Sequence, residues 1–212
     1  MNEYLLLLSV SPVQSFIEAA RKTVDLYAGS QILSDISNEV ISFLTNEKNS
    51  YFDFQKTEII FPYPEINTKP NRVLAKVVTN DPQKLGEDLE NHIRVFIKEK
   101  TETCLSKDGK YPLNAIKQIE DYFEFYWNLI ELKPEDKYND KYKTLEQEHG
   151  AIKNNKLFKQ FSEKGRKCAL DGRYNVKYYR LLEYEVGNLD KILDARLPIN
   201  ALDTNLVIST SM

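Results

Sequence analysis

Tyr4 to Leu8 is a continuous apolar run closed by Ser9. A run of that length without polar alternation fits a strand buried on both faces. The apolar positions Val13, Phe16, Ile17 and Ala20 then switch to helical spacing, with Arg21 and Lys22 on the other side. Ser11-Pro12-Val13-Gln14 reads as the start of that helix: Ser11 caps, Pro12 suits the first helical position and Gln14 closes a capping box. Gly29 is expected to break the helix. Ile32, Leu33, Ile36, Val40, Ile41 and Leu44 form the stripe of a second amphipathic helix, expected to end at Thr45-Asn46.

Glu58 to Phe61 reads as a strand stopped by Pro62 and Pro64. Val73 to Val78 is a further strand. Asn80-Asp81-Pro82 opens a helix with Leu85, Leu89, Ile93, Phe96 and Ile97 as its stripe. Leu113, Ile116 and Ile119 suggest another helix. Phe123 to Leu132 fits a helix or a strand, and the alternation Phe123, Phe125, Trp127, Leu129 suits a strand at least as well. With a strand there, the order is strand–helix–strand–strand–helix–strand, the ferredoxin-like plan. The expected fold class is α+β: a four-stranded antiparallel sheet with helices on one face over residues 1–135. Residues 136–165 read as a helical linker, polar from Tyr142 to Phe161, and 166–212 as a turn-rich tail.

The chain has 212 residues, 42% of them apolar, and its 13 Tyr, 10 Phe and 1 Trp supply bulky core material. A formal net charge of −3 gives no general field for nucleic acid or acidic membranes. Cys104 and Cys168 are the only cysteines, which excludes a disulfide framework and a four-cysteine zinc site. The first apolar run is too short for a membrane span or a signal peptide. These features lead to the expectation of a cytoplasmic protein with no membrane partner.

Residues 5–34 carry Ser9, Pro12, Val13, Gln14, Phe16, Ile17, Ala20, Arg21, Lys22, Thr23, Asp25, Leu26, Tyr27, Gly29, Ser30, Leu33 and Ser34 in an ordered pattern. That pattern closely resembles the start of the first palm domain in the large subunit of type III-B (Cmr) CRISPR effector complexes. Ile60-Phe61-Pro62, the stretch Pro70 to Ala75, and Tyr122 to Trp127 resemble its later strands. Lys167 to Arg173 resembles the opening of its zinc ribbon.

The resemblance implies a palm packed beside a catalytic palm, or beside a neighbouring ferredoxin-like subunit, in an RNA-guided antiviral complex. CRISPR RNA and target RNA would be met indirectly. It also implies ATP with Mg²⁺ as a ligand shared with the catalytic palm. That palm carries a Gly-Gly-Asp-Asp motif, and this sequence has none. Its first strand ends in Ser9-Val10-Ser11, with no acid to hold a metal. No histidine adjoins an aspartate, as an HD nuclease would require. The ribbon keeps Cys168 where two Cys-x-x-Cys pairs belong, so the tail reads as a degenerate zinc ribbon and zinc is not expected.

Ser9, Ser11 and Gln14 are the expected nucleotide contacts, beside free N–H groups at the helix start. Arg21, Lys22 and Arg72 are the expected contacts to a phosphate or a partner. No residue is assigned a catalytic role. Three roles stay open: a non-catalytic packing subunit, a nucleotide-binding partner completing a cyclic-oligoadenylate synthase in trans, and a stand-alone regulator or decoy. Arg173 to Arg180 interleaves bases and aromatics, a mix that also suits an exposed basic turn.

Overall fold

The computed structural model describes residues 1–18, 20, 22–46, 50–106, 119, 122–155, 178–179 and 197–198. They fall in two compact units, the first spanning 1–100 and 120–157 and the second 101–119 and 158–212. In chain order the elements are β1 (Asn2–Ser11), α1 (Gln14–Glu18), α2 (Thr23–Asn46), a 3-10 turn (Phe54–Lys56), β2 (Glu58–Phe61), β3 (Arg72–Thr79), α3 (Pro82–Ser106), β4 (Glu124–Glu131) and α4 (Tyr138–Asn154). In the second unit the described strands form one short antiparallel pair, β5 (Tyr178–Tyr179) with β6 (Leu197–Pro198).

The fold is α+β. Its four-stranded sheet has the order β2-β3-β1-β4, with every neighbouring pair antiparallel. The apolar run of β1 takes the centre because it can bury both faces. Leu5, Leu6, Leu7, Leu8 and Val10 are all buried. Leu6, Leu8 and Val10 share a face with Leu129, Trp127 and Phe125 of β4. Trp127 from that face lies over Gly86 of α3, and its indole N–H donates to Glu90 at 3.0 Å. Helix α3 is joined to α2 by the contact of His92 with Glu39 at 2.8 Å and by the ring of Phe43 against His92. Leu5 and Leu7 face the other way, where they cluster with Leu74 and with Leu145 of α4.

The strands, the second helix's end at Asn46 and the start of α3 match the sequence pattern. Asp81 caps α3 by accepting the Lys84 N–H at 3.0 Å, and Pro82 takes the first helical position.

Three expectations are corrected. Ser11 does not cap a helix: it ends β1, held in the ladder opposite Glu124. Gln14 does not close a capping box, since α1 is five residues long and the Gln14 amide donates to Glu18 at 2.8 Å. Gly29 does not break a helix but lies inside α2. The ring of Phe16 packs against it, 3.4 Å from where a Cβ would stand, an ordinary contact distance. Phe16 also packs edge-on against Phe123 and obliquely against Tyr122. The best-matched stretch of the motif therefore fastens α1 between α2 and the entrance to β4. The helix expected over 113–119 lies outside the described residues apart from Ile119, and so does the ribbon-like sequence 167–173.

Candidate functional site

The sheet surface beneath α4 brings several polar side chains together. Ser9 and Arg72 are direct partners across the β1–β3 ladder, so both project to one face. Tyr126 is the partner of Ser9 on the opposite side, in β4. Helix α4 lies over this row. Its residues Tyr142, Glu146 and His149 follow at i, i+4 and i+7, and Leu145 is buried beside them.

Four contacts fasten the helix. The Ser9 hydroxyl and His149 Nε2 share a buried hydrogen bond of 2.7 Å. The guanidinium of Arg72 forms an ion pair with Glu146. Asn128 donates to Glu148 at 2.8 Å. The Lys153 ammonium stands over the Tyr126 ring, 5.9 Å from its centre.

The electrostatics follow from these contacts. Arg72, with help from Tyr142, holds the Glu146 carboxyl below its usual range. The same carboxylate accepts from Tyr142 and pushes that phenol up. Burial, then the hydrogen bond to Glu124, pushes Tyr126 up to about 12. Burial drives His149 down to about 4, and the charges of Arg72 and Lys153 act in the same direction. His149 is therefore neutral at pH 7. Its Nδ1 is buried with no hydrogen-bond partner among the described residues.

Ser9 and His149 are 3% and 4% exposed, so this pair is no open nucleophile. No carboxylate orients the imidazole through Nδ1, as a triad would require. The arrangement works as a lock between sheet and helix. Among the described residues no group of three or more His, Cys, Asp or Glu side chains is placed to hold a metal ion.

Of the residues expected to act, the structure brings Ser9 and Arg72 together. Ser11 stands one pleat further on, facing the same way. Gln14 is engaged on α1, which is too short to offer an anion site. Lys22 is exposed, and its N–H donates to Asp25 at 3.2 Å, closing the start of α2. Arg21 lies outside the described residues. Sequence reasoning missed Tyr142, Glu146 and His149. The one signal was an i, i+4, i+7 stripe around Leu145 in an otherwise polar stretch.

A family model described as CRISPR-associated protein Cmr2, N-terminal, matches residues 5–157, more than half of the chain. The chain belongs to this family. Membership implies a role in a type III-B CRISPR complex, whose large subunit is Cmr2. The match runs through α4, so the helix that closes the sheet face lies within the family region. No curated protein matches the chain by sequence. Among the described residues no helix is long and apolar enough to cross a membrane.

Proposed function

We propose that the chain is a ferredoxin-like palm component of a type III-B RNA-guided complex, acting by packing against neighbouring subunits rather than by chemistry of its own. In this reading residues 1–135 supply the palm, 136–165 the helical connection that fastens onto it, and 166–212 a ribbon remnant. The strand order β2-β3-β1-β4, with helical crossovers after β1 and β3, supports the ferredoxin-like assignment.

The observation that carries the proposal is the composition of the sheet where a catalytic palm needs its acids. A two-metal site requires paired carboxylates at the end of the first strand and in the hairpin between the middle strands. The end of β1 holds Ser9 and Ser11. The segment between β2 and β3 holds one acid, Glu65, and a buried Lys69 whose ammonium donates to the Pro64 and Ile66 carbonyls. The sheet face above Ser9 is closed by α4. The rival role as half of an ATP site would need Ser9 open, and Ser9 is buried and bonded to His149.

Two measurements test the proposal. Affinity purification of the tagged chain from its source cell is expected to recover other type III-B subunits in fixed proportion, identified by mass spectrometry. Their absence overturns the proposal. Calorimetric titration with ATP and Mg²⁺ is expected to give no binding heat for the chain alone. Saturable binding would favour the nucleotide-site role.

A further inference from the structure

The segment joining β2 to β3 turns large apolar side chains outward while its backbone is fastened from within. Phe61 is 46% exposed, Tyr63 59% and Ile66 49%. An unanchored loop with such side chains would lose much conformational freedom on binding a partner. This one has already lost it. Lys69, 7% exposed, donates its ammonium to the Pro64 carbonyl at 2.9 Å and the Ile66 carbonyl at 2.6 Å. The Ile66 N–H closes a turn onto the Tyr63 carbonyl at 3.2 Å.

Helix α2 holds the other side. Ser34 is completely buried, accepts the Lys69 N–H at 2.8 Å and donates to the Asn67 carbonyl at 3.3 Å. Ser37 donates to the Pro70 carbonyl at 2.5 Å. Prolines at 62, 64 and 70 restrict the chain further.

The charge pattern is one-sided. Residues 61–71 contain two charged side chains, Glu65 and Lys69. The lysine is sunk against its own loop, so Glu65 is the charge that remains outside. Glu58, at the start of β2, is paired with the Lys76 ammonium at 3.4 Å and adds no net charge. The outward surface is thus apolar, with the carboxylate of Glu65 on it.

We propose that this hairpin is a preformed docking surface for another protein subunit of the complex, with Phe61, Tyr63 and Ile66 as anchors. The complementary surface is an apolar pocket edged by lysine or arginine. Preorganisation and central aromatic anchors are the features that concentrate binding energy at interfaces. This inference rests on the reading that the chain acts inside a multi-subunit complex.

The test uses the tagged full-length chain in its source cell. Tyr63→Ser with Ile66→Ser is expected to lower recovery of the other type III-B subunits at least about tenfold, the effect of losing two anchor residues. Its melting temperature should stay near that of the wild type, because both side chains are exposed. Val95→Ser on α3, where Val95 is 53% exposed, is expected to leave recovery unchanged. Glu65→Lys provides a second arm that does not depend on the apolar substitutions: it should weaken recovery by reversing the charge on that surface. Recovery equal to wild type in both hairpin variants overturns the docking surface while leaving complex membership intact. Failure of the wild-type chain to recover any subunit overturns both.

Discussion

His149 shows most directly how one residue couples packing to solution conditions. Its ring is buried between α4 and the sheet, bonded to Ser9 and facing Arg72 and Lys153, with Glu146 one turn earlier. Burial and the two cations hold it neutral down to about 4, whereas an unfolded chain takes up the proton near 6.5. As pH falls through that interval the unfolded state gains a proton that the folded state refuses, so stability falls with pH. Over the stretch from 6.5 to 5 the loss is about 1.5 kcal/mol, the slope rising from half of about 1.4 kcal/mol per pH unit towards its full value. Denaturant midpoints measured across this range should decline in the wild type. In His149→Gln, which keeps a hydrogen-bonding group for Ser9 but cannot titrate, the decline should flatten. An equal decline in both proteins would show that His149 is not its source. Below this range the depressed carboxyl of Glu146 adds its own loss, so the comparison is best read above pH 5.

Gly86 and Gly150 form an informative pair at the same scale, because both are helical and only one is needed. A Cβ at Gly86 would overlap the six-membered ring of Trp127, which β4 and the bond to Glu90 hold in place. Gly86→Ala should therefore lower stability by about 2 kcal/mol or more through overpacking. A Cβ at Gly150 meets nothing within 4 Å. Gly150→Ala should raise stability by about 0.5–1 kcal/mol by favouring the helical backbone. Thermal melts of the two variants are expected to move in opposite directions.

Among the three long helices, α4 buries the fewest residues against the sheet. Of its seventeen residues only Leu145 and His149 are buried. Leu145 joins Leu5, Leu7 and Leu74, and truncating such a side chain costs about 2–5 kcal/mol. Because β1 and β3 are held by full ladders of their own, Leu145→Ala should loosen α4 before it loosens the sheet. Hydrogen exchange is expected to speed up along Tyr138–Asn154 while Leu5–Leu8 remain protected; uniform acceleration would show that α4 and the sheet open as one unit.

The same helix shows what the sequence can and cannot disclose. The strands were legible because their signals are local: an apolar run in β1, alternation in β4, prolines after β2. The helix α3 was legible from Asp81-Pro82 and a stripe of four-residue spacing. For α4, a stripe carried by Leu145 and a histidine looks polar, and only tertiary contact reveals that Ser9 and Arg72 meet it. Gly29 misled because a lone glycine is tolerated inside a helix whose apolar stripe continues beyond it. Ser9 and Arg72 could be proposed as site residues separately, but their pairing depends on a strand register that neither segment encodes alone.

At the scale of the whole molecule, the decisive quantity is the number of ligands that could hold a metal. The chain contains two cysteines and two histidines. Both histidines are already engaged, His92 with Glu39 and His149 with Ser9. Cys104 is exposed on α3. Cys168 stands where the family resemblance would put the first zinc ligand, with Asp171 in place of a second cysteine. Tetrahedral zinc needs four nitrogen, sulfur or oxygen donors converging at about 2.0–2.3 Å, and a structural site of that kind contributes about 10–16 kcal/mol to folding. A domain that depended on such a site would unfold when the metal was removed. This chain is therefore expected to keep its melting temperature within about 1 °C after exhaustive treatment with a strong chelator, whereas a loss of even 1 kcal/mol would lower it by about 2–4 °C. Metal analysis of the purified protein should find zinc well below one equivalent. A large fall in melting temperature on chelation, reversed by added zinc, would overturn the degenerate-ribbon reading and require ligands beyond the cysteines.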